Sequence, residues 1–426
     1  MAPVQHAPTL DAFLHAHLPL EATVEQACSL LKRRQIRGPE PCALVTAHVL
    51  AQVVAKSKWT DVDQLLDRVF QTGRKLVDAQ PQELVLGNIV RRVQGLIRDE
   101  AATDRTDERD DQQSSMANSV SDLRENLPVP PALASSVSFS ALARTTRQPS
   151  LIATPQSMFN LLSAAEPSFL ASGDVSSAGS GASTPTPAHA GLSSGSGSGR
   201  VAALRDEILD GIEEIKDEIG QADDQIAGFA ESQIRPGDAV LVYEPSRTVE
   251  KFLIKAARRK YTLFLVGTAS ATLEKKLGAA KCPIIRVSSN AVSTYMSRVH
   301  RVVLDARAIA ANGGVLTNAG GARLARAAKA AGRTVLVVGG VYRLSPEPLT
   351  HPDNFVEWGE PARLVRFADG SLVGDGGLEV ETPLTEYVPA RLVDLYVTNL
   401  GPHSKDYLEI VISDHYKSED LELYRQ

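Results

Sequence analysis

The sequence predicts a mixed α/β chain: an N-terminal α-helical bundle, a flexible linker, a long connecting helix, and a C-terminal Rossmann-like, doubly wound parallel sheet. Three observations predict it. Apolar residues recur at three- and four-residue steps through residues 8–100, the period of helix faces. A polar, small-residue stretch then interrupts the pattern. From Pro236 onward, short apolar runs alternate with helix-length segments, the order expected of a parallel sheet. Domains are therefore expected at 1–100, 101–200, 201–234 and 235–426.

Composition removes several functions before any motif is read. The chain has 426 residues, 43% hydrophobic and 23% charged, a globular balance in spite of only 5% aromatic residues. Its 45 Lys and Arg against 51 Asp and Glu give a net charge of −6, so no polycationic footprint for nucleic acid is expected. Cys28, Cys42 and Cys282 are too few and too scattered for a disulfide framework or a cysteine-rich zinc site. The opening residues lack a basic stretch followed by an apolar core, and no run reaches the ~18 apolar residues a membrane span needs. The expectation is a soluble intracellular protein with no membrane association.

In the bundle, Leu10, Phe13 and Leu14 suit a first helix, and Val24, Ala27, Cys28, Leu30 and Leu31 a second. Leu44, Val45, Ala47, Val49, Leu50, Val53 and Val54 form a third that is apolar on most sides and so belongs at the centre. Val62, Leu65, Leu66, Val69 and Phe70 follow the capping pair Thr60-Asp61. Leu86, Ile89, Val90, Val93, Leu96 and Ile97 make a fifth. His15, His17 and His48, with Cys28 and Cys42, lie on or beside these helices without a ligand spacing, so no metal is expected.

Residues Ala171–Arg200 contain 25 Gly, Ser, Thr, Pro or Ala and two charges, too little apolar surface to offset ordering entropy. The whole of 101–200 is read as a tether. Next, Val201, Leu204, Ile208, Ile212, Ile215, Ile219, Ile226 and Phe229 draw a seam along one long helix. Asp206, Glu207, Asp210, Glu213, Glu214, Asp217 and Glu218 lie opposite it, as a solvated face.

The α/β unit begins with the strand Ala239–Tyr243 and a helix capped by Ser246 or Thr248, with Lys251, Lys255, Arg258 and Arg259 outward. YTLFLVG, CPIIRVSS, HRVVLDA and RTVLVVGG supply further strands, and ARAIAANGGVLTNAGG is read as a turn. LVDLYVTNLG is too apolar for a free tail and should pair in the sheet or against another subunit. Ligands of such sheets sit beyond the strands' carboxyl ends. Ser246 and Arg247 at a helix N-terminus, with Asn312, Gly313 and Gly314 offering free backbone N–H groups, make a candidate anion or sugar-phosphate pocket. Neither a GxxxxGK[ST] nor a GxGxxG pattern with the right spacing occurs, and no cofactor is expected; a nucleotide-binding module resting on this same cradle, beside a regulatory role, stays open as a third reading.

YEPSRTVEKFLIKAARRK, VSTYMSRVHRVVLDARAIAANGG, LARAAKAAG, VYRLSPEP and YVPARLVDLYVTNLGPHSKDYL together resemble the regulatory subunits of eukaryotic translation initiation factor 2B, and the last of them resembles the beta type. The resemblance covers roughly 201–426. It implies a non-catalytic subunit of a guanine-nucleotide exchange complex, paired directly with a delta-type subunit and assembled with alpha, gamma and epsilon subunits in the cytosol. It further implies that exchange occurs on epsilon, and that the complex binds translation initiation factor 2 and senses phosphorylation of its alpha subunit. A phosphoserine carries about −1.5 to −2 charges at neutral pH. The outward face Lys251, Lys255, Arg258 and Arg259 is one basic candidate to meet it.

The fold is shared with sugar-phosphate isomerases such as methylthioribose-1-phosphate isomerase, which gives the alternative reading. Laying their motifs on this chain puts Glu244 where those enzymes carry the catalytic cysteine, Gly314 at the aspartate and Asn318 at a lysine. A proton shuttle needs two groups that can hold a proton, and glycine offers none. The resemblance thus implies a catalytic set that has been lost. An isolated chain is expected to be poorly soluble or self-associating, and a delta-type partner to rescue it.

Overall fold

The protein is described here as a computed structural model covering residues 10–103, 197–365 and 379–420, apart from 17, 350 and 418. The apolar stripes of the N-terminal third become α1 (Leu10–Leu14), α2 (Leu20–Lys32), α3 (Pro39–Lys56), α4 (Val62–Ala79) and α5 over 85–103. Pro39 opens α3 with a preset φ, where a missing N–H costs nothing. Asp61 caps α4 by accepting from the Val62 N–H at 2.8 Å. The all-round apolar α3 is the central helix, with Cys42, Val45, Val49, Leu50, Val53 and Val54 buried.

The acid-faced helix is α6 (Gly197–Gly228). Leu204, Ile208, Ile212, Ile215, Ile219 and Ala222 enter the helical core. Ile226, together with Ala230 and Ile234 beyond the break at Phe229, enters a core beneath the sheet. One helix therefore feeds two cores. Its outer side exposes Asp206, Glu207, Asp210, Glu213, Glu214 and Asp217, while Glu218 accepts from Arg92 of α5 at 2.6 Å. Of the tether expected over 101–200, residues 101–103 continue α5 and 197–200 begin α6; the rest lies outside the described residues, as does His17.

The main sheet holds β1 (Ala239–Tyr243), β2 (Thr262–Val266), β3 (Ile284–Val287), β4 (Arg301–Asp305), β7 (Thr334–Val338), β10 (Leu395–Thr398) and β11 (Gly401–His403). Their order is β11-β10-β7-β4-β1-β2-β3, parallel except for β11 against β10. The apolar tail segment thus pairs within the sheet, Tyr396 opposite Val337. Side chains alternate between two cores, as strand geometry demands. Val240, Val242, Leu263 and Leu265 face α7 (Arg247–Ala256) and α8 (Ala271–Ala279). Leu241, Phe264, Val302 and Val335 face α9 (Gly321–Ala330) and α10 (Lys405–His415). Both faces are covered, the condition for a parallel sheet in water.

The stretch ARAIAANGGVLTNAGG, expected as one turn, is instead a hairpin. Its arms β5 (Ala308–Ala310) and β6 (Val315–Asn318) join β8 (Leu344–Ser345) and β9 (Thr385–Val388) in a second sheet ordered β8-β5-β6-β9. Strands of two to four residues are too short for alternation to register in a sequence. Buried charge ties this sheet to the helices: Arg307 reaches Glu83 at 2.8 Å and Glu357 at 3.0 Å, and Glu357 also pairs with Arg34. The helical and α/β parts form one compact unit.

Candidate functional site

From β1 the chain moves to β2 and β3 on one side, then returns to β4 on the other. The crevice beyond the carboxyl ends of β1 and β4 is therefore the sheet's switch point, where open α/β sheets take their ligands. Ser246, after β1, caps α7 by accepting from the Val249 N–H at 3.4 Å and lies beside Asp305 at the end of β4. Into this space comes Arg343, from the helical turn after β7, with its guanidinium buried. It donates to Asp305 Oδ1 at 3.0 Å, Ala306 O at 2.8 Å, Thr248 Oγ1 at 2.9 Å and Tyr342 Oη at 3.0 Å. Thr248 in turn donates to Asp223 of α6 at 2.7 Å.

Four segments distant in sequence thus converge on one guanidinium. Burial works to lower the Arg343 pKa, but Tyr342 and Asp305 more than offset it, so the side chain stays charged. Burial pushes the Asp305 carboxyl above the usual carboxylate range, and Arg343 and Ser246 draw it partly back. The protein's own ion pair thus lies at the crevice.

The expected anion pocket looks different in three dimensions. Ser246 and Arg247 do lie at a helix N-terminus, yet their neighbours are carboxylates. Arg247 approaches Glu40 at 3.3 Å and Asp223 at 3.9 Å. Asn312, Gly313 and Gly314 form the tip of the β5–β6 hairpin rather than a strand-to-helix loop. Gly313, at φ +77°, donates its N–H to Ala310 O at 2.8 Å, and Gly314 donates to Asn312 Oδ1 at 2.8 Å. The N–H groups expected to be free are consumed by the turn itself. The side chains nearest Gly313 are Lys405, Ala390 and Tyr396, whose hydroxyl donates to Gly313 O at 2.5 Å. The structure does not bring Ser246 and Arg247 into that neighbourhood.

At the positions matched to isomerase catalysis, Glu244 is exposed in a left-handed conformation (φ 39°), its N–H donating to Val266 O at 3.0 Å. Asn318 is half-buried at the end of β6, opposite Thr385. Gly314 is buried, and a Cβ built there would lie 2.3 Å from Tyr387 Oη. The tyrosine ring fills the space an aspartate would need. Sequence reasoning missed Arg343, Asp305, Asp223 and Tyr387. The available signals were a charge closing the apolar run VVLD and an arginine three residues after a strand and glycine pair.

The basic face of α7 is partly spent as well. Lys251 pairs with Asp224 at 2.9 Å and Arg258 with Glu231 at 3.7 Å. Among the described residues no helix is long and apolar enough to cross a membrane.

Residues 35–404 match the Initiation factor 2 subunit family. The translation initiation factor eIF2B subunit beta of Schizosaccharomyces pombe is 30% identical over 400 residues, 92% of this chain and 94% of that protein. A chain in the crystal structure of the tetrameric eIF2B-beta2-delta2 complex from C. thermophilum is 35% identical. It covers 96% of this chain and 99% of its own length, with a TM-score of 0.62. A ribose 1,5-bisphosphate isomerase from Haloterrigena turkmenica is 27% identical over 219 residues, 47% of this chain and 65% of that enzyme. A match that runs through both the helical third and the α/β sheet places the chain in the Initiation factor 2 subunit family.

Proposed function

We propose that this chain is the beta-type regulatory subunit of translation initiation factor 2B, the guanine-nucleotide exchange complex for initiation factor 2, and performs no chemistry itself. One observation carries the reading. The space for a second proton-handling group at position 314 is occupied by Tyr387. A scaffold arranged this way acts by contact. The likeness to a chain of a beta2-delta2 tetramer supports a delta-type subunit as direct partner. Alpha, gamma and epsilon subunits complete the proposed cytosolic assembly, with exchange on epsilon. The target is initiation factor 2, whose alpha subunit is recognised both phosphorylated and not.

Co-expression with a delta-type subunit tests this. The expected result is a soluble heterodimer where the single chain self-associates by light scattering, and four companion subunits in a pull-down from cell extract. A well-behaved monomer that captures none of them would overturn the reading. The isomerase alternative predicts turnover of methylthioribose 1-phosphate by the purified chain; none is expected.

A further inference from the structure

The amino ends of the strands, opposite the crevice, carry an unexplained concentration of positive charge. Three corners meet there: the turn 235–238 before β1, the corner 257–260 between α7 and β2, and the corner 280–283 between α8 and β3. Bonds hold them together. The Gly237 N–H donates to Lys260 O at 3.2 Å, and Cys282 Sγ donates to Ala257 O at 3.4 Å. Arg235, Arg259, Lys260 and Lys281 are exposed, as is Lys255 one turn back on α7. None of these five side chains has an ion pair or hydrogen bond among the described residues. The nearby carboxylates are engaged elsewhere, Asp238 with Arg301 at 3.0 Å and Glu231 with Arg258.

The backbone adds a second, independent observation. Lys260 (φ 52°) and Lys281 (φ 58°) both adopt the left-handed conformation that L-residues avoid. At the corner closing a helix this position normally falls to glycine. The same chain follows that rule at the corner before β7, where Gly332 at φ 65° closes α9. A cation near a helix C-terminus does complement the dipole. At the end of α7, however, Lys255, with Arg258 and Arg259 in the short helical turn that follows, already supplies that charge without any backbone cost. The left-handed lysines therefore add charge where the helix does not need it.

We infer that these three corners form a docking surface for an acidic segment of a partner polypeptide. Residues held in sparsely populated backbone conformations cluster at functional sites. Charge complementarity selects the partner, and a protein fits better than nucleic acid. The ring nearest the corners, Tyr261, is fully buried and cannot stack on a base. The inference does not depend on the assembly proposed above, because it requires only an acidic chain.

Fluorescence anisotropy of a labelled poly-glutamate peptide against the full-length protein tests it. Binding is expected, weakening steeply between about 50 and about 200 mM salt. Lys260→Gly with Lys281→Gly should lose about tenfold in affinity, yet melt at the same or a higher temperature because glycine relieves the left-handed corners. Arg259→Ala, which leaves the backbone alone, should lose affinity with an unchanged melting temperature. Failure of the peptide to bind, unchanged affinity in both variants, or a lower melting temperature of the double glycine variant would each overturn the inference. So would tighter binding of poly-uridine than of the peptide, or self-association abolished by the same substitutions, since either replaces the partner.

Discussion

A single methyl group at position 314 would collide with the Tyr387 hydroxyl, which makes that glycine a packing requirement. Gly314→Ala is expected to cost about 1–3 kcal/mol, as overpacking of a close-packed interior does, read by urea unfolding. Gly314→Asp should destabilise further and still show no isomerase turnover, because restoring the carboxylate does not restore room for it. Arg343 sets a larger stake. Arg343→Met leaves Asp305 buried without its counter-charge, and about 3–5 kcal/mol should be lost. Adding Asp305→Asn should return part of that loss, so a double-mutant cycle in denaturant measures the coupling. Equal losses that simply add would show that the pair does not interact. Residues like these were poorly legible in the sequence. The cap at Ser246 could be read because its partner is three residues away. The Arg343–Asp305 pair spans 38 positions with four elements between, and no local pattern announces it.

Elements were legible in proportion to their length. The helices that face a core show their period over ten or more residues, and β1, β2, β4 and β7 stand out as apolar runs bounded by turns. The second sheet did not, because β5, β6, β8 and β9 offer at most four residues each and are defined by pairing rather than by pattern. On α6, Ile212 is fully buried, and Ile212→Ala should cost about 2–5 kcal/mol in chemical denaturation. On α10, burial lowers the His415 pKa, with Arg92 adding to the effect while Glu218 and Asp414 oppose it. Its Nδ1 meets the Val411 carbonyl of its own helix at 2.8 Å. A histidine whose folded pKa is depressed contributes stability present above its unfolded value, about 6.5, and lost as pH falls through the folded one. The wild type should therefore lose stability relative to His415→Gln between about pH 7 and pH 5. Parallel curves for the two proteins would show that the ring titrates freely.

At the level of the molecule, the order of helices, connecting helix and parallel sheet was readable. The way the parts are joined was not. The joints are charged and long-range: Arg307 between Glu83 and Glu357, Arg91 with Glu347, Arg98 with Asp420. Each links the first hundred residues to the last hundred and twenty, across a separation in which composition carries no information about pairing. The basic face of α7 illustrates the same limit, since half of its charges turned out to be committed to acids at the end of α6 and just beyond it.

Helix α6 has a consequence for how the molecule comes apart. Its upper isoleucines are embedded among α3 and α5 while Ile226 is embedded under β1, so neither half can be stripped away without baring the spine of the other. Differential scanning calorimetry should record a single endotherm for the described body, and a fragment starting at residue 235 should precipitate on release from the ribosome. Two resolved heat peaks would mean that the spine snaps in the middle.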